Sequence, residues 1–329
     1  MLARAFRLVH RKRTMHHPTF AQIAVTAVLT TLVATSLQAA EKKSHPTWTD
    51  PAKAAAEDPD FTIQGEYVSD KSGIQVVALS KGKFYLSKFA GGLPGAGWNR
   101  SKPKVATLDR ANAKKQLSDL KKITRKSPTL GAKLPKGAII LFNGQANDQI
   151  KGEIKDGLLW AGSETTAEFG NFHLHVEFRL PYKPSAPPSS QDRGNSGIYL
   201  QNRYETQVLD TFGLVYNKDW VDLPLKSDPS RWCGCFYTFK TPDTPMCLPP
   251  LSWQTYDIDF TAPKFDPSGR KVANARITVI HNGVKIHDNV ELPKGTGAGS
   301  KRPEVPKGPI VFQGHGNPIA YRNVWVVEK

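Results

Sequence analysis

Three cysteines in 329 residues are too few for a fold built on disulfides, and Cys233, Cys235 and Cys247 all fall in one short segment. No uninterrupted run reaches the ~20 apolar residues of a spanning helix, which excludes a polytopic membrane protein. Acid is scarce beside base: 29 Asp and Glu against 45 Lys and Arg, a formal net charge of +16. No zinc-ligand spacing, aromatic RNA-binding motif or recognition helix accompanies that excess, so nucleic acid is not an expected partner. A solvated basic surface, facing anionic envelope or polysaccharide, is the plainer account. Aromatics are not scarce. The 7 Trp, 9 Tyr and 15 Phe, concentrated in the second half, exclude a wholly disordered chain. The length fits one large domain or two moderate ones, at roughly 100–200 residues each.

Part of the positive charge belongs to the N-terminus. Arg4, Arg7, Arg11, Lys12 and Arg13 precede the apolar stretch Phe20–Leu37, and Leu37-Gln38-Ala39 follows as a cleavage region. Residues 1–39 therefore read as a signal peptide, with Met15 as an alternative start and an uncleaved anchor as the other reading. The mature protein is expected in the periplasm or the secreted fraction, with no stable membrane insertion. No cysteine stands near the end of the run, so nothing supports lipoprotein attachment. Disulfides persist outside the cytoplasm, so Cys247 is expected to pair with Cys233 or Cys235, leaving one thiol free. A metal site made of cysteine alone would need more ligands.

Residues 40–60 are polar, carry Pro46, Pro51 and Pro59, and read as a flexible leader without fixed structure. Phe61–Tyr67, Gly73–Leu79 and Lys83–Phe89 read as strands and residues 111–122 as a short helix, making 61–122 a small β module. The glycine run Gly91–Gly97 lacks the Lys-Ser/Thr ending of a phosphate loop and is a plain loop. The Pro- and Lys-rich residues 123–135 read as a linker. From residue 136 the signals are overwhelmingly β. Phe172, Leu174, Val176, Phe178 and Leu180 alternate with His173, His175, Glu177 and Arg179. Gly197–Gln201, Tyr204–Leu209, Thr255–Phe260, Ala275–Ile280, Val284–Asn289, Ile310–Gln313 and Asn323–Val327 follow as strands. Asn282-Gly283 marks a hairpin turn. Many short strands without helical periodicity between them predict an all-β sandwich or jelly roll over residues 136–329. On this division the fragment 136–329 should fold alone and carry the activity.

The most informative segment is Tyr204–Asp210. On a regular strand Glu205, Gln207 and Leu209 share one face, and a one-residue bulge after Gln207 would bring Asp210 beside Glu205. Two converging carboxylates suit glycosidic chemistry. The spacing is similar to the Glu-x-Asp-x-x-Glu strand of jelly-roll endoglucanases, with Gln207 and Asp210 as departures; a solvated polar face is the alternative. Arg193-Gly194-Asn195 offers a fork donor and an amide for sugar hydroxyls or an oxyanion. His315 stands between two glycines in Gln313-Gly314-His315-Gly316-Asn317, either a proton carrier or a turn histidine. His173 and His175 could ligate a metal with Glu177, although exposed strand histidines are commoner. Trp220, Trp232 and Trp253 are candidate platforms for sugar rings, Trp253 equally a core residue.

Several motifs occur in a fixed order: Leu141-Phe142-Asn143-Gly144, Phe172–Arg179, Asn195-Ser196-Gly197-Ile198-Tyr199, Tyr204–Asp210, Trp253 and His281-Asn282-Gly283. Gly308–His315 and Tyr321-Arg322-Asn323-Val324 close the series. Together they resemble the 3-keto-disaccharide hydrolase domain family over residues 136–329; the insert 216–251, holding every cysteine, departs from it and could reshape the pocket rim. The resemblance implies a concanavalin-like jelly roll and a glycosidase-type hydrolase or lyase. Its substrates are glycosides already oxidised to a ketone at carbon 3, cleaved by proton abstraction, elimination and hydration. Such a site needs a base, an acid and an oxyanion stabiliser. Glu205 and His315 are then expected to move protons, Asp210 to act as acid or orienter, and Arg193 or Asn195 to lie near the oxyanion. Arg179, Gln207, Trp253 and Gln313 complete the expected sugar-binding set, and a divalent metal ion could serve the oxyanion. A non-catalytic carbohydrate-binding module and an ordinary retaining glycosidase are the competing readings.

Overall fold

Helix α1 (Pro51–Glu57) begins where the local chemistry asks for it. Asp50 accepts a hydrogen bond from the Lys53 N–H, and Pro51 occupies the first turn. The computed structural model describes residues 45–188, 190–216 and 228–329, so residues 1–39 and Trp220 lie outside the described residues. From residue 45 the leader is not the unstructured segment its composition suggests. The Trp48 backbone pairs with that of Tyr182, its indole donates to Glu57, and Tyr182 donates to Asp58.

The first sheet follows: β1 (Gly65–Ser69), β2 (Ser72–Ala78), β3 (Lys83–Ala90), β4 (Lys104–Asp109), then helix α2 (Arg110–Leu117) and β5 (Lys121–Ile123). All five strands are antiparallel in the order β4-β3-β2-β1-β5. The expected helix over 111–122 ends at Leu117, because Lys121–Ile123 pairs with Glu66–Val68 of β1. The edge strand β4 is largely exposed, which explains its weak hydrophobic pattern.

The second region begins with β6 (Ile139–Phe142), β7 (Ile150–Lys151), β8 (Ile154–Lys155), β9 (Leu158–Trp160) and β10 (Ser163–Thr165). Three longer strands come next, β11 (Phe172–Arg179), β12 (Asn195–Leu200) and β13 (Tyr204–Leu209). Beyond the insert lie β14 (Trp253–Thr261), β15 (Lys264–Phe265), β16 (Lys271–Ala273), β17 (Ala275–His281), β18 (Val284–Leu292), β19 (Val311–Phe312) and β20 (Ala320–Glu328). Two antiparallel sheets form, β13-β12-β19-β10-β7 and β18-β17-β14-β11-β20-β9-β8. Their inner faces supply one core, with Ile198, Tyr204, Val208 and Phe312 from the smaller sheet and Leu174, Phe178, Ile258 and Val326 from the larger. The jelly-roll sandwich read from the alternation is the architecture observed.

The boundaries drawn at 122 and 136 cut through a single compact unit. Val77 and Tyr85 of the module sit in the main core, and Tyr182 and Leu251 of the sandwich sit in the module's. Residues 123–135 are a strap rather than a loose linker. Ser127 and Thr129 hydrogen-bond the Thr255 hydroxyl, Thr129 donates to Asp257, and the Gly131 N–H donates to Glu177. The strap crosses the outer face of the larger sheet, where the alternation of β11 sends His175 and Glu177. Both are fully buried there. His175 contacts Asp257 at 2.6 Å and stacks on Trp325, while Arg322 donates to Glu177 at 2.7 Å. His173, expected on an exposed face, pairs with Asp259. A bulge sets two residues of β20 opposite Val176, and Asn323 takes φ 45° there, which lets it donate to Glu177.

Burial alone would raise the Glu177 pKa, but hydrogen bonds from His175, Asn323, Gly131 and Arg322 outweigh it and hold the carboxyl at about 2. A carboxylate depressed in the folded state stabilises the fold above its unfolded pKa, and this is lost as pH falls through the folded value. Glu177→Gln should therefore lower the melting temperature at pH 7. Melts repeated down to pH 2 should show the gap between variant and wild type closing.

Candidate active site

The hairpin of β12 and β13 pairs without a register break: Tyr199 stands opposite Glu205, Gly197 opposite Gln207, and Asn195 opposite Leu209. Tyr204 and Val208 enter the core, so Glu205 and Gln207 project from the other face. Glu205 is only 2% exposed. Its Oε2 accepts a 2.6 Å hydrogen bond from the Tyr199 hydroxyl, which itself accepts from the Ala298 N–H. Its Oε1 has no hydrogen-bond partner among the described residues. Two glycines make room for the carboxylate: a Cβ at Gly197 would lie 2.3 Å from Oε1, and one at Gly297, whose φ is +53°, 2.2 Å from Oε2. Gly197→Ala should therefore displace the carboxylate, with turnover falling about 10²-fold if it works by position. Steady-state kinetics beside a thermal melt check this, since only a modest stability loss is expected.

Glu205 opens onto a cavity of about 190 Å³. Four of its lining residues were expected from sequence: Asn195, Glu205, Gln313 and His315. Four were not: Gln191, Tyr199, Tyr237 and Ala298. Tyr199 had a readable signal, as the residue facing Glu205 across a hairpin. Tyr237 had none, because it arrives through the insert, which edge-pairs with β13. Gln207 N–H donates to Cys235 O, Gly234 N–H to Gln207 O, and Tyr237 N–H to Glu205 O. The insert therefore supplies one wall of the pocket.

Burial pushes the Glu205 carboxyl up to about 7, against a smaller lowering by the Tyr199 hydrogen bond. Burial and the adjacent carboxylate push Tyr199 upward as well, keeping it a neutral donor. The Gln207 amide donates to Asn195 Oδ1 at 3.3 Å and to the Arg231 carbonyl at 3.1 Å. Gln207 thus sits behind the pocket wall, holding Asn195 with its amide nitrogen available. Gln313 donates to the Tyr199 hydroxyl at 3.5 Å, and its own side-chain oxygen is buried without a partner. His315 is exposed at the rim.

Asp210 does not join Glu205. No bulge follows Gln207, so Asp210 passes beneath the sheet, where Arg193 Nε donates to it at 2.8 Å. Each of the two is 1% exposed. The other Arg193 donors reach the carbonyls of Ala78, Pro184 and Ala186. Four of the five guanidinium N–H groups are thus engaged, and Arg193 does not line the pocket, so this is a structural ion pair. Arg179 and Trp253 lie on the outer face of the larger sheet, away from the pocket. There the Trp253 ring has the guanidinium of Arg322 at 4.0 Å and that of Arg179 at 4.8 Å from its centroid. Trp232 is buried and packs near Tyr216. In the structure Cys233, Cys235 and Cys247 are all buried thiols.

Glu205 and His315 are the metal-ligating side chains of the pocket lining, and among the described residues no group of three or more His, Cys, Asp or Glu is arranged around a metal position. Two such donors alone do not make a divalent-ion cage. Among the described residues no helix is long and apolar enough to cross a membrane.

Residues 137–327 match the family model of the 3-keto-alpha-glucoside-1,2-lyase-like domain. Among solved structures the chain is similar to proteins of Parabacteroides distasonis ATCC 8503 described as candidate glycosyl hydrolases. One shares 29% identity over 59% of this chain and 85% of its own, with a TM-score of 0.47. Another shares 18% over 59% and 94%, with a TM-score of 0.42. No curated protein matches the chain. The family match spans both strands of the Glu205 hairpin and the His315 loop, and with it the chain belongs to the 3-keto-alpha-glucoside-1,2-lyase-like domain family and is a glycoside-processing enzyme.

Proposed function

We propose that this enzyme works outside the cytoplasm and cleaves glycosides carrying a ketone at carbon 3, by elimination and then hydration, with Glu205 as the base. The observation that carries the reading is the Glu205 carboxylate. It is buried, raised to about 7, fixed through one oxygen by Tyr199, and unpartnered at the other. A ketone at carbon 3 acidifies the hydrogen on carbon 2. Glu205 Oε1 takes that proton, and the electron pair moves onto the carbon 3 oxygen as an enolate. The Asn195 amide nitrogen supports the oxyanion, because Gln207 holds the amide oxygen. The enolate collapses, the bond from carbon 1 to the leaving oxygen breaks, and His315 at the rim protonates that oxygen. Water adds at carbon 1 and gives its proton back to His315, carbon 2 regains its proton from Glu205, and the net change is hydrolysis.

A retaining glycosidase uses two carboxyl groups about 5–5.5 Å apart, and among the described residues the pocket lining holds a single carboxylate. That favours elimination over displacement. The test incubates the protein with matched glycosides with and without the 3-keto group, in the presence and absence of chelator. Cleavage of the keto form alone, slowed by deuterium at carbon 2, is the expected result. Cleavage of the unoxidised glycoside would establish displacement instead, and binding without turnover a carbohydrate-binding module. Loss of activity with chelator would add a divalent ion to the oxyanion site.

A further inference from the structure

We propose that Cys233 and Cys247 close a disulfide as the chain folds, and that Cys235 stays a thiol. The sequence leaves Cys247 free to pair with either neighbour; the structure separates them. The Cys235 thiol is turned to the Pro229 carbonyl at 3.0 Å. Cys233 and Cys247 line the same small cavity beside Thr211, without Cys235, and each thiol is close enough to act on the other's ionisation. Both meet the end of β13. The Cys247 thiol lies 3.7 Å from the Leu209 carbonyl, and the Cys233 sulfur 3.3 Å from the Tyr256 hydroxyl, which in turn donates to the Gln207 carbonyl.

The bond would have a definite effect. It closes a loop of about 15 residues, and that loop carries the segment pairing with β13 and placing Tyr237 in the pocket wall. Formation requires an oxidant of the disulfide class, such as oxidised glutathione. Two S–H bonds are lost, one S–S bond forms, and two electrons and two protons reduce the oxidant to two thiols. Both sulfurs are fully buried in the folded chain, so exchange has to occur before folding covers them.

The experiment refolds the reduced, unfolded full chain in a mixture of reduced and oxidised glutathione, and in parallel under full reduction. Iodoacetamide alkylation and peptide mass mapping follow, with a thermal melt of each product. A Cys233–Cys247 linked peptide with Cys235 alkylated is expected, with a melting temperature higher by roughly 6–12 °C than the reduced form. Cys235→Ser should retain the linkage and the shift, and Cys247→Ser should lose both. Should Cys247→Ser fail to fold, the Cys235→Ser map decides alone. A linkage involving Cys235, or three alkylated cysteines after oxidative refolding, would overturn the proposal.

Discussion

Glu205→Gln should lower turnover by about 10²–10⁴-fold, the usual cost of removing a general acid–base group. The amide keeps the shape of the side chain and can still accept from Tyr199, so substrate binding should survive. The pH dependence follows from the same group. As a base with a folded pKa of about 7, Glu205 gives a wild-type kcat/KM whose acidic limb climbs through pH 7. Stability moves the opposite way. A carboxyl raised from 4.5 to about 7 on folding binds its proton more tightly in the folded state. That contribution is fully present below about pH 4.5 and is lost as pH rises through 7, leaving a cost of roughly 3 kcal/mol at higher pH. Glu205→Gln should therefore melt above wild type at pH 8 and close to it at pH 4. An inactive variant that is more stable at pH 8 is the result expected of a catalytic carboxylate held at the expense of the fold. Lower stability at both pH values would mark Glu205 as structural. Retained turnover would remove it from the mechanism and leave His315 as the leading proton carrier.

What could be read from sequence divides by range. The long strands were legible because one face of each is buried: Phe172 to Phe178 alternates strictly, and β11 follows it. The short strands β7, β8 and β10 escaped because two or three residues carry no period. In the site, Glu205, Asn195, Gln313 and His315 were found through local patterns, and the structure brings them to one cavity. The failures share one physical cause. A polar residue on a strand says nothing about which partner it meets through space. His175 and Glu177 read as metal ligands or as an exposed strand face because the strap that buries them is more than 40 residues upstream. Asp210 read as a second site carboxylate because Arg193, which neutralises it, reads equally well as a ligand donor. Tyr237 reaches the pocket only because the insert adds itself to the edge of β13, a tertiary event without a sequence pattern.

Breaking the Arg193–Asp210 pair should be among the most destabilising substitutions available in this chain. Both groups are almost wholly removed from solvent, so Arg193→Ala leaves an uncompensated buried carboxylate, and Asp210→Ala an uncompensated guanidinium. Loss of one partner of such a pair costs about 3–5 kcal/mol, or roughly 6–20 °C of melting temperature for a domain of this size. Replacing both with apolar residues, often neutral elsewhere, should not restore stability. Arg193 also satisfies the carbonyls of Ala78, Pro184 and Ala186, and an apolar side chain would leave those acceptors unpaired in the interior. The Ala78 carbonyl belongs to β2, so the same residue ties the N-terminal sheet to the sandwich. The fragment 136–329 lacks that acceptor, the Val77 and Tyr85 side chains and the strap contacts, and it should melt well below the full chain or fail to fold. Thermal melts of Arg193→Ala, the double variant and the fragment, run beside kinetics, distinguish the roles. A double variant as stable as wild type would show that the carbonyl contacts matter little. An Asp210→Asn chain with wild-type stability but slowed turnover would return Asp210 to the reaction.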